Sequence, residues 1–245
     1  MDSGDIDGDG DNDIVFSTGQ ILINLDGKGL FGILPDQPTG IASGVITLAD
    51  MNGDQTLDLV FSGGSVGYWV NDGSGLSTES QLVLISANNG GFAPTVADFN
   101  DDGIPDLFFF GNDSEPLCVA LFDGKGSFDL VHSLPKVYPN TGMRMRSVAI
   151  DYNRDGHQDI VLSGGLNTDT GSRYVIAFLG QGDGTFGESG IELAGPYGGL
   201  DLLSTPLAVG DFNHDAVEDV AAGLPDGLHL WLSTPSGRAE AIVSG

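Results

Sequence analysis

Nine residues recur five times along this chain, and they are dense in oxygen ligands. The copies are DIDGDGDND (Asp5–Asp13), DMNGDQTLD (Asp50–Asp58), DFNDDGIPD (Asp98–Asp106), DYNRDGHQD (Asp151–Asp159) and DFNHDAVED (Asp211–Asp219). Positions 1, 5 and 9 are always Asp, and position 3 is Asp or Asn. Blocks of acid usually mark a solvated tail or disorder. Here each block runs directly into an apolar stretch, so the repulsion needs another remedy, and a cation supplies one. Side-chain oxygens at positions 1, 3 and 5, a backbone carbonyl at 7 and a carboxylate at 9 can wrap one Ca²⁺, which takes six to eight hard oxygens at about 2.3–2.6 Å.

The candidate ligands are therefore Asp5, Asp7, Asp9, Asp11 and Asp13 in loop one, and Asp50, Asn52, Asp54, Thr56 and Asp58 in loop two. Loop three offers Asp98, Asn100, Asp102, Ile104 and Asp106. Loop four offers Asp151, Asn153, Asp155, His157 and Asp159, and loop five Asp211, Asn213, Asp215, Val217 and Asp219. The position-7 residues contribute their carbonyls. An EF-hand begins similarly but needs Glu at position 12 and flanking helices. Position 12 here is Phe16, Phe61, Phe109, Leu162 or Ala222. Mg²⁺ keeps its waters and avoids all-protein cages, and zinc would call for His or Cys at ligand positions. A sharp turn at position 6 suits Gly, present as Gly10, Gly103 and Gly156 but replaced by Gln55 and Ala216. Loops two and five are thus expected to be weaker or empty, and loops three and four the most reliably filled.

The elements that must hold these loops repeat as well. The nonapeptides start at residues 5, 50, 98, 151 and 211, so the spacings are 45, 48, 53 and 60. Each continues into an apolar run (IVF, LVF, LFFF, IVL, VAA), and four follow another (VITLA, PTVA, SVAI, PLAVG). A Gly-rich turn comes next: LDGKG at Leu25, NDGSG at Asn71, FDGKG at Phe122, GQGDG at Gly180 and a degraded TPSG at Thr234. Asp-Gly between apolar runs is a strong hairpin signal. Strand, acidic loop, strand, strand, turn, strand, at a period near 50 residues, describes a propeller blade. The expectation is an all-β chain, one β-propeller domain over 1–245 with about five four-stranded antiparallel blades (repeats near 1–40, 41–90, 91–140, 141–198 and 199–245). Blade one is expected to lack its leading strand, since only MDSG precedes Asp5; Glu240–Gly245 is expected to form the outer strand of blade five, with completion of blade one as the alternative. A piece of a larger propeller is the rival architecture.

The pattern D-x-[DN]-x-D-G-x-x-D before an apolar strand resembles the FG-GAP/VCBS repeat, over essentially the whole chain. The resemblance implies an integrin-α-like propeller with a calcium loop between the first two strands of each blade. It also implies an extracellular, cell-surface or periplasmic setting and a role in adhesion, carbohydrate binding or assembly. Some members serve as accessory domains of polysaccharide-degrading enzymes.

Composition narrows the partners. Eight Lys+Arg against 35 Asp+Glu give a formal charge of −27. Nucleic-acid binding relies on basic residues neutralising phosphates, so no nucleic-acid partner is expected. No stretch is long enough to span a membrane as a helix. No signal peptide is visible in MDSGD; either the protein is intracellular or a leader lies outside this sequence. The one cysteine, Cys118 in LCVAL, reads as a buried small hydrophobe.

Other residues invite sharper stories. His157 and His214 lie in acidic loops, where His157 is expected to face solvent, while His132 and His229 have no evident acidic or cysteine partner in sequence. Tyr68, Trp69 and Trp231 sit on or beside third strands, where packing competes with sugar stacking. Arg144 and Arg146 form a rare basic spot that balances local acid. No G-x-S-x-G elbow, H-E-x-x-H motif or phosphate loop occurs. The expected function is a non-enzymatic, calcium-binding module for a protein or glycan, with up to five ions. The alternatives are an accessory or catalytic fragment of a polysaccharide-degrading enzyme and a purely structural surface module.

Overall fold

A computed structural model describes residues 1–34, 44–73, 76, 81–89, 94–112, 115–131, 145–164, 173–197, 206–233 and 239–243. The described residues form strands joined by turns, in five four-stranded antiparallel sheets. The first sheet is β1 (Asp2–Gly4), β2 (Asp13–Val15), β3 (Ile21–Asn24) and β4 (Phe31–Ile33). The second is β5 (Val45–Ala49), β6 (Asp58–Ser62), β7 (Gly64–Trp69) and β8 (Leu82–Asn89). The third is β9 (Thr95–Ala97), β10 (Asp106–Asn112), β11 (Glu115–Phe122) and β12 (Phe128–Val131). The fourth is β13 (Arg146–Ile150), β14 (Asp159–Gly164), β15 (Arg173–Phe178) and β16 (Ile191–Tyr197), and the fifth β17 (Leu207–Gly210), β18 (Asp219–Leu224), β19 (Gly227–Leu232) and β20 (Ala239–Val243). In every sheet the strands follow chain order. This is the five-bladed β-propeller architecture.

Blade one departs from expectation. Its leading strand exists: Asp2, Ser3 and Gly4 pair with Val15, Ile14 and Asp13. Three residues suffice because the Asp2 carboxylate reaches blade two, accepting from the Thr47 hydroxyl at 3.0 Å and the Leu48 N–H at 2.8 Å. At the other end β20 pairs with β19 in full register, from Leu228↔Val243 to Leu232↔Ala239, so the last strand is the outer strand of blade five.

Strand position within a blade sets composition. Second strands are continuous apolar runs because both faces are covered, as in β6 and β14, where every residue is buried. Fourth strands are half-exposed, as in β4 and β12. Two compact units share the chain: Met1–Val96 with Gly103–Asn112 and Ala120–Leu130, and Ala97–Asp102 with Asp113–Val119 and Val131–Gly245. In the first, Ile6, Val15, Ile21, Ile46, Leu59, Phe61, Trp69 and Leu76 form one core. In the second, Ile150, Tyr152, Val161, Val175, Val220, Ala222 and Trp231 form another. Tyr68, Trp69 and Trp231 are buried, as the packing reading requires, and so is Cys118.

Candidate metal centre

Each nonapeptide is the loop from a blade's first strand to its second, and its nine positions divide into a buried clamp and an outer, half-exposed cage. The clamp is position 9. Asp13, Asp58, Asp106, Asp159 and Asp219 all have 0% exposure. One oxygen accepts the N–H of position 2: Ile6 at 2.9 Å, Met51 at 2.9 Å, Tyr152 at 2.9 Å and Phe212 at 3.0 Å. The other accepts the N–H at the end of the third strand: Asn24 at 2.8 Å, Asn71 at 2.8 Å, Phe122 at 3.0 Å, Gly180 at 2.7 Å and Ser233 at 2.7 Å. A buried charge costs much unless hydrogen-bonded, and these donors are its partial compensation. Burial still pushes Asp58 and Asp159 up to about 6, against the N–H donors that oppose it.

The cage is held by the loop's own backbone. Position 1 accepts the N–H of position 5 or 6: Gly10 to Asp5, Gln55 to Asp50, Gly156 to Asp151 and Ala216 to Asp211, at 2.8 to 3.0 Å. Asp102 donates its N–H to Asp98 in the same way at 3.2 Å. The Asp at position 5 accepts the N–H of position 7, from Asp11, Thr56, His157 and Val217. In loops two to five the position-3 amide donates to the position-5 carboxylate, as Asn52 to Asp54, Asn100 to Asp102, Asn153 to Asp155 and Asn213 to Asp215.

These contacts move the acids in opposite directions. Partial burial pushes Asp54 and Asp155 up, but hydrogen bonds outweigh it and hold both below the usual carboxylate range. The donors are the Thr56 hydroxyl and N–H and the Asn52 amide at Asp54, and the His157 N–H and Asn153 amide at Asp155. Loop one carries Asp7 in place of the amide. Burial first, then the charges of Asp13 and Asp9, raise its carboxyl above the usual range. Among the described residues, carboxylate oxygens of Asp5, Asp7 and Asp13 lie within 4.8 Å of one another.

Backbone torsion supplies a feature that the sequence reading missed. Position 6 is left-handed, as expected, with Gln55 at φ 72° and Ala216 at φ 66° where Gly10, Gly103 and Gly156 stand elsewhere. Position 4 is left-handed too: Gly8 and Gly53 fill it in loops one and two, but Asp101 (φ 60°), Arg154 (φ 63°) and His214 (φ 62°) fill it in the others. A side chain in this region costs roughly 1–2 kcal/mol. Loop one therefore carries no such strain, loops two, three and four one strained residue each, and loop five two. The glycines of loops one and two were the available signal.

Loops also join blades. Position 2 is buried as Ile6, Met51, Phe99 and Tyr152, whereas Phe212 is exposed at 47%. The Ile6 carbonyl accepts from the Asn71 amide at 2.7 Å, and the Phe99 carbonyl from the Gly184 N–H at 2.9 Å, both in the Gly-rich turn of the next blade. Phe99 also meets Phe186 edge-on at 5.8 Å. The turn glycine is wedged between two loops: a Cβ at Gly182 would lie 2.3 Å from Asp101 Oδ2 and 2.6 Å from His157 Nδ1. His157 thus does not simply face solvent. Its ring pairs with Asp101, and that hydrogen bond is the main cause of its raised pKa. Buried His229 has an acidic partner three residues upstream, Asp226 at 2.9 Å, and stacks on Trp231 at 5.7 Å. The LPDG turn carried that signal. Arg146 is exposed on β13, while Arg144 and His132 lie outside the described residues.

Comparison with known proteins places the chain. No curated protein sequence is similar enough to match it. A lectin from Agrocybe aegerita, described as recognising non-reducing terminal N-acetylglucosamine, has a similar structure with a TM-score of 0.69 at 21% identity, over 99% of this chain and 65% of its own. The NanB sialidase from Streptococcus pneumoniae is similar with a TM-score of 0.52 at 15% identity, over 89% of this chain and 34% of its own. The chain thus spans less than two thirds of these solved structures, and at such identities the likeness shows the fold alone. The FG-GAP-like repeat profile matches residues 50–109, 98–162 and 151–222. With matches running from 50 to 222 of 245 residues, the chain belongs to the FG-GAP-like repeat family.

Proposed function

We propose that this protein is a non-enzymatic binding module, a propeller whose acidic loops hold calcium and whose ligand is a glycan or a protein. The observation that carries the metal is the gathering of Asp5, Asp7 and Asp13 oxygens within 4.8 Å. Ligands about 2.3–2.6 Å from one ion stand at most about 5 Å apart, so the donor set fits. Hard carboxylate oxygens are what calcium takes, and an ion beside Asp7 would offset the burial and then the Asp13 and Asp9 charges that raise its carboxyl. Asp13 can serve both roles, because each carboxylate oxygen has a second lone pair beyond the one facing an N–H. In loops two, three and four, Asn52, Asn100 and Asn153 would offer an amide oxygen at position 3, beside the Asp at positions 1, 5 and 9 and the carbonyl at 7. Bound calcium would neutralise the loops; no reaction is assigned to it.

Extracellular calcium modules bind at about 10⁻⁴–10⁻³ M. We accordingly place the protein outside the cytoplasm, at the cell surface, in the periplasm or in the medium. The lectin likeness supports a glycan as ligand, and the absence of a nucleophile motif in the sequence supports binding over catalysis. A glycan array probed with the calcium-loaded protein is the direct test. Retention of defined glycans, lost on chelation, is expected. Release of sugar products from the array or from acidic polysaccharides would replace the binding reading with a hydrolase or lyase. Metal analysis after dialysis against millimolar calcium should find several ions, and finding none would remove the metal from the proposal.

A further inference from the structure

Loop five differs from the other loops in what faces its acids. Arg154, at position 4 of loop four, extends to blade five. Its Nη2 lies 3.4 Å from Asp215 Oδ2, the position-5 oxygen of loop five. The same nitrogen donates to the Ser233 carbonyl, and the Ser233 N–H in turn donates to the buried clamp Asp219 at 2.7 Å. One guanidinium therefore touches one loop-five acid directly and grips the residue that holds another. Arg154 adopts the left-handed conformation to do this, with φ 63°. Asp215 is already engaged on both oxygens, by the Val217 N–H at 3.0 Å and the Asn213 amide at 3.2 Å. Loop five also bears both strained residues, His214 and Ala216.

We infer that Arg154 is the resident cation of loop five: it takes the charge-compensating role that calcium has in the other loops, so loop five stays metal-free and blades four and five are locked by an ion pair. The inference rests on the calcium reading for the other loops. A fixed positive charge beside Asp215 repels a divalent ion with about twice the strength of a unit pair, which weakens binding on the order of tenfold or more. Guanidinium is suited to the place because it stays charged at all accessible pH and presents several donors in one plane.

Ion counting by native mass spectrometry in millimolar calcium tests this on the whole chain. Arg154→Gln should bind one calcium ion more than the wild type, and Arg154→Lys, which keeps the charge, the same number as the wild type. Asp215→Asn should also leave the count unchanged, because no ion is there to lose. An unchanged count in Arg154→Gln, or one ion fewer in Asp215→Asn, overturns the inference while leaving the calcium reading intact. If no variant binds calcium, the calcium reading fails, and melting in EDTA decides the ion pair alone. Arg154→Gln and Asp215→Asn should then each lower the melting temperature, with the double variant no worse than either single one. Additive losses would overturn the lock.

Discussion

Loop one and loop five end in the same buried clamp, yet they treat their outer charge in opposite ways. Loop one sets Asp7 at position 3, where burial and then the charges of Asp13 and Asp9 push it up, and runs on two glycines, Gly8 and Gly10, through both left-handed positions. Loop five sets an amide at position 3, forces His214 and Ala216 into those torsions, and receives Arg154 from the preceding blade. Its Phe212 is exposed where Ile6 is buried. One loop concentrates negative charge in a relaxed frame, and the other disperses it in a strained one. The lesson is that a nonapeptide's letters report where acids stand, while the residues between them and a neighbouring blade set how their loop is strained and their charge compensated.

Calcium removal should expose the contrast most strongly. Binding to the folded state alone contributes about 1.4 kcal/mol per site at tenfold over Kd, so four loops contribute roughly 5–6 kcal/mol. At about 2–4 °C per kcal/mol for a chain of this size, EDTA should lower the melting temperature by well over ten degrees. An unchanged melting curve would mean that loop one is relieved by some means other than calcium.

Next in size is the feature that the two loops share. Asp13→Ala leaves two buried N–H groups without an acceptor, and Asp219→Ala the buried Ser233 N–H and the part-buried Phe212 N–H, a loss of about 3 kcal/mol in each. That loss should persist in EDTA and be similar in the two variants. A loss in either variant that disappears on chelation would show the clamp to be chiefly a metal ligand.

The outer acids should then separate the loops. In calcium Asp7→Ala is expected to cost about 1.4 kcal/mol, the contribution of one site. Asp215→Ala should cost well under 1 kcal/mol, as exposed ion pairs do. Equal costs would erase the distinction. Asp54, Asp102 and Asp155 fall between these extremes, since each of their loops carries one strained residue.

How much of this was legible in sequence is instructive. The blade pattern, the antiparallel sheets and the outer strand at Ala239–Val243 follow from hairpin and nonapeptide spacing, because those signals are local. The leading strand of blade one was not legible, because three residues carry no period and Asp2 is anchored by contacts to Thr47 and Leu48 some 45 residues away. The clamp role of position 9 was hidden for a related reason. An invariant Asp in an acidic motif reads as a ligand, and only the fold reveals the third-strand N–H that it accepts. The torsion at position 4 was masked because Asp, Arg and His occupy it in three loops and Gly in only two.

Relief of that torsion is a smaller effect. Ala216→Gly should stabilise loop five by about 1 kcal/mol, read as a rise of a few degrees in EDTA, whereas Gly10→Ala should destabilise loop one by a similar amount. A neutral Ala216→Gly would mean that the strain in loop five is offset locally.

The effect of pH is diagnostic through its sign. Asp58 and Asp159 titrate near 6 when folded against 3.8 when unfolded. The folded state thus holds their protons more tightly, and their contribution to stability is full below about 3.8 and lost as pH rises through 6. Asp54 and Asp155 are shifted the other way, so their contribution is present above 3.8 and lost in stronger acid. Melting temperature in EDTA should therefore rise from pH 7 to 5 and fall below pH 4. In calcium the same mild acidification should lower it, because protons displace the ion. Identical profiles would argue against a metal in these loops.

The joints between blades have a consequence for how such a chain changes over time. Each joint from a loop to the following blade's turn has a backbone carbonyl at one end: Ile6 accepts from the Asn71 amide, Phe99 from the Gly184 N–H and Ser233 from the Arg154 guanidinium. A connector with a peptide group at one end is indifferent to sequence at that end. Repeats can therefore drift apart in length and composition, be duplicated or be lost, and still fit their neighbours. Pairs with side chains at both ends, among them Arg154 with Asp215, His157 with Asp101 and Thr47 with Asp2, are the places where a repeat becomes particular to its position.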